Sequence, residues 1–467
     1  MMTRNWFWIA FLCFGFWAAC LTGAARAELK VGACRVDSTP THLPATINGG
    51  FTPLLWDKVS DPLSIRALAV DDGKTCVIYA VADVCVLPSE IVERAKDEIC
   101  KKIPVPRECL AMSSTHCHSA PSLMKLLGVG VDENYVPLFL EKMVEAVVTA
   151  YERRQPAKMG VGFDFDSDNV YCRRFLMKPG RATQVNPEFT GAKWNQAQMN
   201  PNADNVIRRL GVPDPTVYVV AFQTLEGKPL ALLANYSTHY AGASAISADY
   251  FGVFCREIAQ KLNADENFTA LMTNGTSGDT NCIDFYDRNR RFTMETVGKS
   301  VAEAAYRAYG KIKFSADASV EMCQEKLTVG IRKGTPEQVE LAKKHLADRP
   351  TIRTVEDAYA LNTVRLSEMP DSWDLTLQVM RLGPAAIVLL PNEVYSATGH
   401  EIRRNSAHEM TFVISLANGY AGYLPTEQDI ELGGYTTWRA TSSCCEPKAE
   451  EMIRGRVIEM LKKTEVK

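Results

Sequence analysis

The chain has 467 residues, 46% of them apolar and 23% charged, with a net charge of −3. That balance is ordinary for a globular protein and excludes a disordered or fibrous one. With no basic run and no Lys/Arg stripe interleaved with aromatics, the chain also lacks the footprint of a nucleic-acid binder.

Residues 1–27 read as a targeting segment. Arg4 is its positive flank, residues 6–21 are almost wholly apolar, and Ala25-Arg26-Ala27 is an A-x-A cleavage pattern. The expectation is a signal peptide, a mature chain from Glu28, and export to the periplasm or the medium. A lipid anchor at Cys20 is a second reading, although Trp17-Ala18-Ala19 matches a lipoprotein signal poorly. The apolar run is shorter than the ~20 residues of a membrane span, and no later run is apolar enough. Twelve of the 14 cysteines lie beyond this segment. Export predicts that some form disulfides. Spacing fixes no pairing, and Cys76, Cys85, Cys109 and Cys255 sit in apolar runs that suit a buried thiol equally well. No C-x-x-C occurs, which argues against a structural zinc knuckle.

Residues 29–33 begin a strand, and a Gly/Pro-rich loop runs over 40–53. Residues 65–70 and 76–82 predict a hairpin turning at Asp71-Asp72-Gly73-Lys74. Ser89 is placed to cap a helix whose Ile91, Val92, Ala95 and Ile99 share one face. Cys109-Leu110-Ala111-Met112 then reads as a buried strand running into Thr115-His116-Cys117-His118-Ser119-Ala120-Pro121. Only seven histidines occur in the chain, and two stand here one residue apart. On a strand, i and i+2 point to one side, so His116 and His118 can face one cavity while Cys117 points away. Such a pair suits a metal, or two histidines satisfied by hydrogen bonds in a loop.

A helix follows over 136–151 and a strand over 157–165. Residues 166–214 have little periodicity, which marks a functional or disordered loop. Strands over 216–224 and 229–235 form a hairpin, and the second runs into Tyr236-Ser237-Thr238-His239. Ser247 caps the next helix, with Asp249 in its first turn. A short strand over 268–272 enters the loop that holds Asp279. Further helices are expected over 292–309, from Thr335-Pro336-Glu337, over 355–368 and over 448–461. Strands over 375–379 and 385–390 lead to Pro391-Asn392-Glu393. A strand over 412–416 leads to Ala417-Asn418-Gly419-Tyr420-Ala421-Gly422-Tyr423. Strands and helices interleave throughout, so the class is α/β. The expectation is one large domain, 28–467, of mixed β-sheet with flanking helices and a metal site at strand ends. Five strand ends carry His116 with His118, His239, Asp279, Glu393 and Tyr423, and strand ends are where α/β sites gather. Two histidines and a carboxylate are a frequent catalytic zinc set.

These motifs resemble those of the neutral/alkaline non-lysosomal ceramidases. Thr115-His116-Cys117-His118-Ser119-Ala120-Pro121 is similar to T-H-T-H-S-G/A-P. Asn235-Tyr236-Ser237-Thr238-His239 is similar to N-F-A-x-H-P, with Tyr240 in place of proline. Ser247-Ala248-Asp249-Tyr250 matches S-A-D-Y, and Asn274 to Asn281 resembles N-G-A-A-G-D-I-N. Pro391-Asn392-Glu393 is similar to P-G-E, and Asn418 to Tyr423 to N-x-Y-x-x-Y. The elements occur in family order across nearly all the mature chain. The resemblance implies one Zn2+ per chain on His116, His239, Glu393 and Tyr423, with His118 and Arg173 facing the substrate as catalytic groups. It implies an exported zinc-dependent amidohydrolase that cleaves an N-acyl amide, ceramide or a related lipid, by metal-activated water. Its partners would be that small-molecule or lipid amide, with transient contact at a membrane surface. A zinc hydrolase of a non-lipid amide or ester, and a non-catalytic binding protein on the same scaffold, stay open beside it. Asp249 and Asp279 are either orienters of the ligating imidazoles or a plain cap and a loop-stabilising carboxylate. Two departures stand out. Ceramidases carry serine in G-D-V-S-P-N, where this chain has Gly278-Asp279-Thr280-Asn281-Cys282. The chain also ends too soon after Tyr423 for their C-terminal immunoglobulin-like domain. Ser277 is no hydrolase nucleophile by motif, because Asp279 stands where G-x-S-x-G needs glycine. Of the glycosylation sequons at Asn235, Asn267 and Asn274, the first and third overlap the proposed site and are expected to be unmodified.

Overall fold

Two sheets carry the chain in a computed structural model that describes residues 28–184, 186–191, 195–287 and 289–465. The expected signal peptide, its cleavage pattern and the Cys20 alternative lie outside the described residues. The first sheet has eight strands: β1 (Lys30–Asp37), β2 (Ser64–Asp71), β3 (Cys76–Ala82), β4 (Leu110–Ser114), β5 (Gln155–Phe165), β6 (Thr216–Thr224), β7 (Pro229–Tyr236) and β8 (Thr269–Asn274). Their order is β8-β7-β6-β5-β1-β2-β3-β4. The interior pairs are antiparallel, whereas the outermost pair at each edge, β7 with β8 and β3 with β4, is parallel. The second sheet has four strands in chain order: β9 (Val320–Gly330), β10 (Ser372–Leu382), β11 (Ala385–Leu389) and β12 (Met410–Ile414).

Helices α1 (Ser89–Cys100), α2 (Tyr135–Glu152), α3 (Asp249–Lys261) and α4 (Met294–Tyr309) precede the second sheet in the chain. The rest of the chain adds α5 (Pro336–Asp348), α6 (Val355–Glu368), α7 (Ser396–Arg404), α8 (Glu427–Leu432) and α9 (Ala449–Lys463). α2, α3 and α4 pack on the first sheet, and α7 and α9 on the second. The two-residue period of a strand explains how the sheets meet. On β11, Ile387 and Leu389 enter the large core shared with the first sheet, while Ala386 and Val388 join a second core with Ile453 and Val457 of α9.

Several expectations need correction. Ser89 is the first residue of α1 rather than its cap; Pro88 occupies the cap and no side chain closes it. Ala248 takes the cap of α3, although the Ser247 hydroxyl still accepts from the Asp249 N–H at 2.9 Å. The Thr335 cap with Pro336 after it forms as expected, as a capping box with Gln338. The stretch 166–214 is not one long loop: Arg174–Met177, Ala197–Met199 and Val206–Arg209 pair into a three-stranded sheet. β9 escaped the sequence reading because it is an edge strand with only Val320 and Val329 buried, so its apolar alternation is weak. The expected disulfides do not form among the described residues. All twelve cysteines there are free thiols, most of them packed as small apolar side chains.

Candidate metal centre

The centre forms where chain leaving the second sheet closes the gap between opposite edges of the first. Residues 415–418 continue β12 and lie between β8 and β4. Ser415 donates its N–H to Asn274 O at 3.0 Å on one side. On the other side Ala417 bridges Ser113, and Asn418 donates to Met112 O at 2.7 Å. The Asn274 amide then reaches Thr115 O at 3.2 Å. Strand ends at opposite edges of the eight-stranded sheet are thereby drawn together. The same closure buries Asn235 and Asn274 with their amides hydrogen-bonded.

His116 and His118 follow β4, and His239 follows β7. β4 ends at Ser114, and His116 has a left-handed backbone (φ +70°). The two histidines therefore share a cavity because of a turn, not because of strand alternation. Cys117 does point away, into the apolar core. Glu393 and Tyr423 lie on chain that has left the second sheet, directly opposite each other in a separate parallel pairing of two residues each. Arg173 is held by main-chain bonds to Asp279 O (2.9 Å) and Asn200 N (2.8 Å).

The side chains converge on one point. The Nε2 of His116 lies 3.0 Å from that of His239, 3.2 Å from that of His118, and 3.3 Å from Glu393 Oε2. The Nδ1 of His116 faces Cys85 O at 2.8 Å, and the Nδ1 of His239 faces Ser277 O at 3.1 Å. A carbonyl only accepts, so both Nδ1 atoms donate and both Nε2 atoms present lone pairs inward. Two lone pairs at 3.0 Å cannot bond to each other. Glu393 Oε1 accepts from the Tyr420 hydroxyl at 2.8 Å, but its Oε2 has no hydrogen-bond donor. A buried anion, an orphaned oxygen and inward lone pairs require a positive charge at their centre. His116, His239 and Glu393 can hold a metal ion there, since their ligand atoms lie within 4.8 Å of one another.

The remaining groups surround that point. His118 stacks on Tyr240, with ring centroids 3.9 Å apart, and its backbone hydrogen bond is to Gly49. The buried Arg173 donates through Nη2 to Gly278 O (3.0 Å) and to the Tyr423 hydroxyl (3.2 Å). Burial drives the pKa of His118 and His239 well below the ordinary imidazole value, helped by the charge of Arg173. Burial pulls Glu393 upward, but neighbouring positive charge, Arg173 among it, and the Tyr420 bond hold it below its usual range. Burial pushes the Tyr423 phenol well up. These residues floor a cavity of about 510 Å³ with walls of Phe51, Leu126, Leu127, Tyr435 and Trp438.

Asp249 and Asp279 touch no imidazole. Asp249 accepts from the N–H groups of Ala241 (2.9 Å) and Gly242 (2.7 Å), and so fixes the turn after His239. Asp279 accepts from Ser396 N (2.7 Å) and Oγ (2.8 Å), which ties its loop to α7. Both are loop-stabilising carboxylates. Sequence reasoning missed Tyr420 as the partner of Glu393 and Tyr240 as the platform for His118. Tyr420 lay inside a quoted motif, but nothing local distinguished it from Tyr423.

No family model matches the sequence, and no curated protein matches it significantly. The structure is similar to that of neutral ceramidase from Pseudomonas aeruginosa, with a TM-score of 0.68 and 14% identity over 94% of this chain and 76% of that one. It is similar also to a ceramidase complexed with C2, with a TM-score of 0.66 and 14% identity over 93% of this chain and 75% of that one. The fold is thus that of neutral ceramidase, at an identity where the likeness is one of fold alone.

Proposed function

We propose that the protein is an exported zinc-dependent amidohydrolase that cleaves the N-acyl bond of ceramide or a related lipid amide. The observation that carries this reading is the convergence of three imidazole Nε2 atoms and Glu393 Oε2, beside a buried guanidinium, at the floor of an apolar cavity. The A-x-A leader supports export, and the fold of a hydrolase supports the reaction class. His116, His239 and Glu393 would hold the metal with Tyr423 as fourth ligand. A zinc ion there would supply Lewis-acid chemistry for hydrolysis of an amide.

The chain's own residues do the rest. Water adds to the carbonyl carbon, the C–N bond breaks, and the amine nitrogen takes a proton. Burial keeps His118 neutral, so its Nε2 can accept the proton of the attacking water and pass it to the departing amine. The charge of Arg173, fixed in a dry site, stabilises the developing oxyanion. The aromatic and leucine walls take up an acyl chain and exclude water.

Asn281 stands at the serine position of the ceramidases and offers no hydroxyl. Its carboxamide is tied to Asn200 and the Ile283 N–H. This favours, as a second reading, a zinc hydrolase acting on a different amide or an ester. The test is to assay the zinc-loaded mature chain against short- and long-chain N-acylsphingosines, N-acyl amino acids and simple esters. Release of fatty acid from the sphingosine amides is expected. In Arg173→Met, kcat should fall about 10²–10³-fold with zinc retained. Turnover of esters alone would move the assignment to the second reading, and binding without any turnover would overturn hydrolysis.

A further inference from the structure

A second cavity, about 330 Å³, lies on the far side of Tyr420. It opens between the first turns of α1, strands β9 and β10, and the segment Asn418–Ala421. Lys96 lines it and is 2% exposed. Among the described residues its ammonium has no hydrogen bond or ion pair. Glu93, the nearest acid acting on it, is held by Arg107 at 2.6 Å, and Asp374 by the Thr328 hydroxyl at 2.6 Å. An almost wholly buried lysine with no counter-charge, its ammonium in touch with solvent only where the side chain lines this cavity, is held at a cost. It points to a ligand that supplies the missing charge.

The surroundings say what kind of ligand. Ser89 also lines the cavity, and its hydroxyl has no hydrogen-bond partner among the described residues. Ser89 and Lys96 are seven residues apart, two turns on one helix face, and a helical side chain leans back toward the N-terminus. Both side chains line the one cavity, beside the start of α1, which no side chain caps and where the dipole favours an anion. Opposite stand Trp373, Leu375 and Pro391, which form an apolar wall. An inorganic anion leaves that wall uncovered, whereas a carboxylate with a short apolar body covers it.

We propose that this cavity is a second ligand site for a small organic carboxylate, held by Lys96 and Ser89 with its apolar body against Trp373, and that its occupancy is felt at the metal centre through Tyr420. Tyr420 is the shared wall: it lines both cavities, and its hydroxyl holds Glu393 Oε1 at 2.8 Å. The adjoining Asn418 is held in a left-handed conformation (φ +59°). A ligand that shifts the ring moves the carboxylate that faces His116.

The experiment is calorimetric titration of the zinc-loaded mature chain with hexanoate and, in parallel, inorganic phosphate. Neither arm depends on turnover, so the result stands apart from the proposed activity. Saturable hexanoate binding below about 1 mM is expected, weaker by about tenfold or more in Lys96→Met and weakened also in Trp373→Ala. Zinc affinity measured with and without hexanoate should differ about fivefold, and the difference should vanish in Tyr420→Phe. No hexanoate binding to the folded chain would overturn the site. So would an affinity unchanged in Lys96→Met, which would place the ligand in the metal cavity. Phosphate binding as tight as hexanoate, unaffected by Trp373→Ala, would overturn the organic class. An unchanged zinc affinity would overturn the coupling.

Discussion

The Nε2 atoms of His116 and His239 face each other at 3.0 Å while the opposite nitrogen of each ring donates to a main-chain carbonyl. Turning either ring would give up its Nδ1–H bond to that carbonyl. The two sheets thus build a site whose lone pairs need a cation.

Metal content is the first consequence. The purified mature chain should carry close to one zinc, and His116→Ala should carry none. Chelation should lower the thermal midpoint, because a metal at a thousandfold excess over its Kd stabilises by about 4 kcal/mol. Elemental analysis with differential scanning calorimetry reads both. A chain that melts identically with and without chelator would contradict the site.

Tyr420 supplies the hydrogen bond to Glu393 Oε1. Tyr420→Phe leaves a buried carboxylate oxygen bare, at a cost of about 1–3 kcal/mol. Groups that orient a ligand typically govern 10–100-fold in metal affinity. Competition with a zinc chelator should show a loss of about that size, whereas Tyr→Phe at an exposed tyrosine should show none.

Gly49 sits at φ +110°, and a Cβ there would come within 2.4 Å of His118 Cγ and Nδ1. Gly49→Ala should push the His118 ring off its point while leaving His116, His239 and Glu393 in place. A displacement near 1 Å costs about 10²-fold in rate. Zinc content should stay near one per chain while kcat falls by about that factor. A parallel loss of zinc would mean that His118 is itself a ligand.

Burial drops the Lys96 pKa from 10.5 to about 8. Between those values the unfolded chain holds the proton and the folded chain does not, so native stability rises with pH across that window. Below it the buried ammonium destabilises the fold in full. At about 1.4 kcal/mol per pH unit, the penalty is roughly 3 kcal/mol. Lys96→Met should therefore be more stable than the parent at pH 7, with the gain fading as pH rises through 8 towards 10.5. Denaturant unfolding at pH 7 and pH 10 checks this, and a destabilised variant at pH 7 would mean that the lysine has a partner.

The sequence by itself determined most of the elements and the residue types at their ends. Apolar runs on either side of a turn marked the hairpins at 65–82 and 216–235, and the Thr335 cap marked the start of α5. The pattern at 109–121 and the ends at His239, Glu393 and Tyr423 named the residues that meet. These signals are local, since a cap or a pleat depends on neighbours in the chain. Tertiary structure alone decided that they converge. His116 and His239 leave opposite sides of an eight-stranded sheet, and the curl of that sheet with residues 415–418 inserted between β4 and β8 brings them within 3.0 Å. It decided too that Asp279 ties a loop to α7 rather than orienting an imidazole, and that Tyr420 is the partner of Glu393. Those contacts span 117 and 27 residues. Contact at such separations depends on how the two sheets pack, and no short-range period in the chain encodes it.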